Sequence, residues 1–140
     1  MKKKILIISA NYYQKISNNL EIGVNKILLN DSNKKKFYTN KLNVPGIFEL
    51  PVVVSKNINK YDAFICIGCV IKGKTPHYDY ISKATTEGLM YLTIKSKKPI
   101  GNGIITCLNK KQAIERSSLN KKNKGIEAAK AVVDVLDLND

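Results

Sequence analysis

The sequence predicts an α/β protein in which a four-stranded parallel sheet carries helices on both faces, as a three-layer α/β/α sandwich. Short apolar runs rich in β-branched residues alternate with longer segments whose apolar residues recur at helical spacing. Alternation of this kind is typical of parallel sheets. The run AFICIGCVI (residues 63–71) is almost entirely apolar, as expected of a strand that helices cover on both sides.

The first half of the chain contains two predicted strands and two predicted helices. KILIISA (4–10) predicts a buried strand, and residues 16–29 predict a helix because their apolar residues recur every three or four positions. FYTNKL (37–42) predicts the second strand, which ends before the turn residues NVPG. FELPVVVSKNINK (48–60) predicts a helix, in which Pro51 is tolerated only within the first turn.

The second half continues the alternation. AFICIGCVI is the third strand, and residues 78–95 predict a long helix with one apolar side. PIGNGIITC (99–107) predicts the fourth strand. Residues 110–118 and 123–137 predict two further helices, the second with a well-registered apolar stripe.

Length and composition predict a single domain over residues 1–140. The 140 residues contain 44% hydrophobic residues, with no repeat or low-complexity linker, so the chain can bury one core of ordinary size. The start MKKKILIISANYY has the charge order of a signal peptide, but its apolar core is only about six residues long, and we interpret it as the first strand. No apolar run has the length of a membrane span. We therefore expect a cytoplasmic protein without a membrane partner.

The charge of the chain is strongly basic. A net charge of +13 raises nucleic acid as a partner. The lysines are scattered in ones, twos and threes without aromatic interleaving, so we do not expect a nucleic-acid partner, and a solvated lysine-rich surface explains the charge. Arg116 is the only arginine among 24 basic residues; it points to a site that needs a planar, bidentate grip on carboxylate or phosphate.

The three cysteines do not predict a disulfide or a metal site. Their number is odd, and Cys66 and Cys69 form a CxxC inside the apolar third strand. Positions i and i+3 of a strand point to opposite faces, so we expect buried, unpaired thiols.

One stretch after the third strand suggests an anion site. GCVIKGKT (68–75) matches the phosphate-binding pattern GxxxxGK[ST], which keeps a nucleotide hydrolase as an alternative. Its middle residues prolong a strand, however, and Pro76 directs Thr75 away from helical geometry. The shorter segment Gly73–Thr75 remains suited to an anion at a helix start. His77 lies there too, either as a helix-capping residue or as a group that exchanges protons near neutral pH.

These and other segments resemble the 6,7-dimethyl-8-ribityllumazine synthase family. The resemblance rests on VPGIFELP (44–51), GCVIKGKTPHYDYIS (68–82), QAIER (112–116) and NKG (123–125), which occur in the family's order from about residue 4 to the C-terminus. It implies a flavodoxin-like fold. It also implies that 5-amino-6-(D-ribitylamino)uracil and 3,4-dihydroxy-2-butanone 4-phosphate are condensed to the lumazine, without metal or organic cofactor.

The resemblance also implies roles for single residues. His77 falls on the family's proton donor and acceptor, and Arg116 on a phosphate clamp that comes from the adjacent subunit. The other implied substrate-binding positions are Tyr12, Ile47, Phe48, Glu49, Cys69, Val70, Ile71, Lys74, Thr75, Asn102 and Lys124.

The chain departs from the family pattern at two of these positions. Tyr12 replaces the usual phenylalanine of the first loop and keeps an aromatic face. Asn102 stands where an aromatic from the neighbouring subunit is usual, so a stacking wall is lost. The family assembles as homo-pentamers with active sites between subunits, and in many bacteria twelve pentamers form an icosahedral shell. The segment SSLNKK (117–122) has a length that fits the shell-forming class but lacks its glycines, which leaves both assemblies open.

Overall fold

Four strands and five helices alternate along the chain as predicted. The structure, a computed structural model, describes residues 2–120 and 122–138. Its strands are β1 (Lys3–Ala10), β2 (Phe37–Val44), β3 (Ala63–Ile71) and β4 (Ile100–Cys107). Its helices are α1 (Gln14–Leu28), α2 (Leu50–Asn57), α3 (His77–Ser96), α4 (Lys110–Ser117) and α5 (Lys124–Leu136).

All four strands are parallel, in the order β2-β1-β3-β4. The pairings Ile5↔Ala63 and Phe64↔Ile100 set the register of β1 and β4 on either side of β3. Because parallel strands need crossover connections, each link between strands carries at least one helix. The carboxyl ends of all four strands therefore meet at one edge of the sheet, and their amino ends at the other.

Helices cover both faces of the sheet, which confirms the three-layer α/β/α architecture. One core packs α1 and α5, with Ala113 of α4, against odd-numbered strand residues such as Ile65 and Ile67. The other core packs α2 and α3 against even-numbered residues such as Phe64 and Cys66. Side chains alternate between the faces of a strand, so an almost continuous apolar run serves both cores. Within the described residues, no helix is both long and apolar enough to cross a membrane.

The helix predicted after Gly46 differs from the observed structure at both ends. A 3₁₀ turn occupies Ile47–Glu49, and α2 begins only at Leu50, with Pro51 in its first turn. The helix ends at Asn57, because the Ile58 amide bonds the nearer carbonyl of Ser55 and a turn follows. Elsewhere the predicted bounds are displaced by one or two residues, as helix and strand ends usually are.

The cysteine prediction is confirmed for the CxxC pair. Cys66 belongs to the core under α2 and α3, whereas Cys69 belongs to the core under α1 and α5. All three cysteines are free and buried.

Glycines in β4 allow α5 to lie close to the sheet. A Cβ on Gly101 would stand 2.8 Å from Val132 Cγ2 and 2.9 Å from the Ala128 carbonyl oxygen. Since the second contact is with helix backbone, no rotamer change can relieve it.

We expect Gly101→Ala to lower the free energy of unfolding by about 1–3 kcal/mol, because α5 must move away from β4. Guanidinium denaturation at matched protein concentration measures the change. Gly73→Ala is the control: a Cβ there meets no described atom within 4 Å, and its effect should stay within about 0.5 kcal/mol. Equal effects of the two substitutions would contradict this packing account.

Candidate active site

A cavity of about 420 Å³ lies beyond the carboxyl ends of the central strands. It is formed where the loops after β1, β2 and β3 meet, the usual ligand site of an open parallel sheet. Most of the predicted site residues line it: Tyr12, Ile47, Phe48, Glu49, Cys69, Val70, Ile71 and His77. Tyr13, Gly46 and Ile81 complete the lining.

The loop after β1 contributes two tyrosines to one wall. The Ser17 hydroxyl donates to the Ala10 carbonyl at 2.5 Å and holds α1 against the end of the strand. The rings of Tyr12 and Tyr13 meet edge to face with centroids 4.9 Å apart. Tyr12 is 76% exposed, so its face is free to stack on a planar ligand. Tyr13 is half-buried, and burial raises the pKa of its phenol, with smaller contributions from Tyr12 and two cysteines.

The 3₁₀ turn after β2 places a carboxylate and an aromatic side chain beside each other. The Glu49 amide donates to the Gly46 carbonyl at 3.2 Å, which closes the turn. Ile47 is buried in the core, whereas Glu49 is half-buried and Phe48 is 60% exposed at the cavity. A half-buried carboxylate can accept hydrogen bonds from hydroxyl groups of a ligand. The aromatic side chain beside it can stack on a ring of the same ligand.

The end of β3 forms a neutral floor. Burial raises the pKa of Cys69 to about 12, and Cys107 beside it acts in the same direction. Burial also raises the pKa of Cys107, whose thiol faces the Asn109 carbonyl at 3.4 Å. Burial therefore disfavours the thiolate form of both cysteines, which is the nucleophilic form.

The loop between β3 and α3 brings His77 to the cavity and keeps Lys74 and Thr75 next to it. The Lys72 amide donates to the Cys107 carbonyl at 2.9 Å, which anchors the loop to the end of β4. The His77 amide lies 3.4 Å from the Thr75 hydroxyl at the start of α3. Helix N-termini favour anions, so this loop places an imidazole beside a helix start that is suited to an anion.

The geometry of this loop does not fit the nucleotide-hydrolase alternative. Residues 68–71 belong to β3, and α3 starts at His77 rather than at the Lys-Thr pair. Gly68 has a packing role: a Cβ there would stand 2.9 Å from Ala10 Cβ. The match to the phosphate-binding pattern is therefore a coincidence of a buried strand and a loop.

Five predicted site residues do not line this cavity: Lys74 and Thr75 in the loop before α3, and Asn102, Arg116 and Lys124 elsewhere in the chain. Asn102 lies near the amino end of β4, exposed, where its side-chain oxygen accepts from the Ile104 amide at 3.1 Å. Arg116 is exposed in the last turn of α4. Lys124 is the first residue of α5, behind the Asn123 cap.

Sequence reasoning missed three lining residues. Tyr13 lies beside Tyr12 at the end of the first loop. A residue where a loop leads from a strand into a helix is expected to be partly buried, and this could have indicated it. Ile81 is one helical turn after His77, and this i, i+4 spacing could have indicated it. Gly46 belongs to the VPG segment and lines the cavity through its backbone. No group of three His, Cys, Asp or Glu residues suited to a metal occurs in residues 2–120 and 122–138.

The fold and the cavity define a flavodoxin-like α/β protein that holds its ligand beyond the carboxyl ends of a parallel sheet. Residues 2–140 match the family described as 6,7-dimethyl-8-ribityllumazine synthase. Proteins of that name from Campylobacter curvus and Campylobacter concisus are 39% and 40% identical over 139 and 138 residues, or 98% and 97% of this chain and 88% of each relative. One from Sulfurimonas denitrificans is 38% identical over 138 residues, 97% of this chain and 89% of the relative.

The chain belongs to the 6,7-dimethyl-8-ribityllumazine synthase family. It is an enzyme of the transferase class, and the family forms a lumazine in riboflavin biosynthesis. The resemblance found in the sequence is thereby confirmed.

We expect the cysteines of the native protein to react very slowly with Ellman's reagent at pH 8. With a pKa of about 12 for Cys66 and Cys69, about one thiol in ten thousand is ionised at that pH. In the folded protein the raised pKa shifts thiolate formation to strongly alkaline pH. In the unfolded chain burial is lost, so all three cysteines should react at once. Absorbance of the released thiolate measures both rates. A rapid reaction of the native protein at Cys69 would contradict a neutral cavity floor.

Proposed function

We propose that the chain condenses 5-amino-6-(D-ribitylamino)uracil with 3,4-dihydroxy-2-butanone 4-phosphate. The products are 6,7-dimethyl-8-ribityllumazine, phosphate and water, in the penultimate step of riboflavin synthesis. One observation carries the proposal: a single cavity joins an exposed aromatic face, a carboxylate and His77 beside an anion-binding helix start. A planar polyhydroxylated amine and a phosphorylated ketone need this combination.

The uracil substrate fits the part of the cavity between the β1 loop and the 3₁₀ turn. In this proposal the Tyr12 ring stacks on the pyrimidine, and the Glu49 carboxylate accepts hydrogen bonds from hydroxyl groups of the ribityl chain. Ile47 and Phe48 flank that chain. The polar groups at the edges of the pyrimidine form hydrogen bonds with the backbone at the end of β3, which consists of Cys69, Val70 and Ile71.

The phosphate of the second substrate fits the loop before α3. Thr75 offers its hydroxyl, Lys74 its ammonium group, and the first turn of α3 the positive end of the helix dipole. Arg116 of a neighbouring subunit would grip two phosphate oxygens in bidentate fashion, and Lys124 would add a positive charge near the same end.

The reaction then proceeds by two bond formations. The 5-amino nitrogen attacks the ketone carbonyl, and loss of water gives an imine. The hydroxyl-bearing carbon next to the imine loses its proton, and phosphate leaves with the electrons of its C–O bond, which gives an enol. The enol takes up a proton and becomes a ketone, and the ribitylamino nitrogen attacks this carbonyl to close the second ring with loss of water. His77 accepts and returns protons in these steps, while the anion site stabilises the departing phosphate. Holding both substrates in one cavity contributes an effective molarity that can be worth about 7–11 kcal/mol.

We propose a homo-oligomer built of pentamers, with the active site between subunits. Arg116, Asn102 and Lys124 lie away from the cavity of their own chain, which supports a site completed by a neighbour. Large apolar side chains are exposed on α2 and α3, among them Val52, Tyr80, Met90, Tyr91 and Ile94; exposed patches of this kind often mark interfaces. Light scattering distinguishes a pentamer near 80 kDa, five times the 15.7 kDa chain, from an icosahedral shell.

Two further expectations stay predictions. The single domain over residues 1–140 is supported by one continuous sheet flanked by two cores. A cytoplasmic location is the ordinary one for an enzyme that makes a vitamin precursor.

Lumazine formation from the two purified substrates tests the function directly. We expect lumazine absorbance to appear with the wild-type protein at a rate far above that of the substrates alone. His77→Ala should lower kcat by about 10²-fold or more if the imidazole moves protons. Absence of the product with a folded, assembled wild-type protein would overturn the proposal.

Mixing inactive variants tests whether the site lies between subunits. We expect His77→Ala and Arg116→Ala to be weakly active alone and to regain activity when subunits exchange, because some hybrid sites then hold both residues. The double variant mixed with either single variant is the control and should regain nothing. No recovery, despite exchange demonstrated by mass spectrometry, would place both residues in one subunit's site.

The missing aromatic at Asn102 gives a further prediction. Stacking is worth about 0.5–1.5 kcal/mol beyond area burial, so Asn102→Phe should tighten binding of the uracil substrate by roughly three- to tenfold. Affinity for the butanone phosphate should hardly change. Asn102→Ala, which removes the amide without adding a ring, is the control for titration calorimetry. Weaker uracil binding by both variants would show that the amide itself contacts the uracil.

A further inference from the structure

Lysines accompany the start of every strand. Lys2–Lys4 stand at the beginning of β1, Lys34–Lys36 directly before β2, Lys60 shortly before β3, and Lys97 and Lys98 before β4. Because the four strands are parallel, these nine lysines lie along the same edge of the sheet, opposite the candidate active site. We call this surface the basic edge.

Backbone hydrogen bonds hold the four lysine segments side by side. The Lys3 amide donates to the Lys36 carbonyl at 3.1 Å, and the Asp62 amide donates to the Lys4 carbonyl at 2.8 Å. The Phe64 amide donates to the Pro99 carbonyl at 3.0 Å. Adjacent strands are about 4.8 Å apart, so the lysines form a strip roughly 14 Å wide across the sheet.

Most of this positive charge has no acidic partner. Lys34 pairs with Asp31 and Lys36 with Asp137, each at 3.1 Å. The Asp62 carboxylate accepts from the backbone amide of Lys4 at 2.7 Å. Within the described part of the chain, no carboxylate forms an ion pair with the remaining lysines, which are Lys2, Lys3, Lys4, Lys35, Lys60, Lys97 and Lys98. Lys98 donates instead to the Ile58 carbonyl.

The basic edge is concave at one end and carries an exposed aromatic ring. A cavity of about 450 Å³ is lined by Lys2, Lys3, Lys35 and Lys36, over Phe37 and Leu136, and by Asp137, whose carboxylate pairs with Lys36. Tyr38 beside it is 56% exposed, with Lys2 Nζ 4.7 Å from its ring centre. A concave strip fits a flexible chain of phosphates better than a flat membrane, and an exposed tyrosine offers a face to an unpaired base.

We propose that the basic edge binds single-stranded nucleic acid through its phosphates, without base specificity. Lysine is a mobile point charge that contacts phosphate without fixing orientation, and arginine, which reads guanine, is absent from this edge. The reaction proposed above uses none of these lysines. Lysines that are scattered in the sequence are gathered here by the topology of the sheet.

Fluorescence anisotropy with a labelled oligouridine about 20 nucleotides long tests the proposal at several salt concentrations. We expect saturable binding by the assembled wild-type protein and a linear fall of log affinity with log salt. Lys3→Gln combined with Lys35→Gln should weaken binding roughly tenfold and make the salt slope shallower by about 1.4, or 0.7 for each lost phosphate contact. Lumazine formation by this variant should be unchanged.

The matched control removes the same charge elsewhere. Lys83→Gln combined with Lys130→Gln changes α3 and α5 and should leave binding and slope close to wild type. Equal losses in both double variants would mean a general charge effect and overturn the proposal. So would no binding at the lowest salt, or displacement of the RNA by anionic vesicles at equal phosphate concentration. If the double variant fails to fold, the two single variants, each expected to lose about 0.7 of slope, decide the question.

Discussion

Burial of β3 on both faces and both edges is the constraint on which the rest of the molecule depends. Every residue from Ala63 to Cys69 is buried, so the strand needs helices above and below and a strand on each side. Parallel neighbours supply the two edges, and parallel strands require helical crossovers that supply the two faces. The same constraint brings the strand ends together, and therefore the loops that carry the chemistry.

The parts of the fold that follow from this constraint could be predicted from the sequence. The parts that depend on competition between a 3₁₀ turn and an α-helix could not. The bounds of β3 agree residue for residue with the apolar run, because its burial leaves no freedom in composition. The predicted start of α2 was wrong, because the 3₁₀ turn at Ile47–Glu49 and the helix that begins at Leu50 both contain apolar residues. Periodicity cannot separate two kinds of helix within four residues.

The candidate site divides along a similar line. The motifs of the family resemblance indicated cavity residues on the loops after β1, β2 and β3, and the topology of a parallel sheet brings those loops together. Tyr13 and Ile81 were missed because their contribution depends on side-chain direction, which sequence spacing only partly fixes. Asn102, Arg116 and Lys124 do not line the cavity of their own chain. The role proposed for them requires a neighbouring subunit, and the folding of a single chain does not determine how subunits meet.

The two edges of the sheet show that composition alone does not predict where polar and charged groups lie in the fold. At the carboxyl edge, His77, the Thr75 hydroxyl and a helix N-terminus lie at fixed positions, which suits the proposed binding of one phosphate. At the amino edge, lysines on flexible side chains surround a shallow concavity, which suits the proposed non-specific contact with many phosphates. The net charge of +13 counts these lysines, but it takes His77 as neutral and includes neither the hydroxyl nor the helix N-terminus. Position relative to strand direction separates them, because a parallel sheet sends every residue before a strand to one edge and every residue after it to the other.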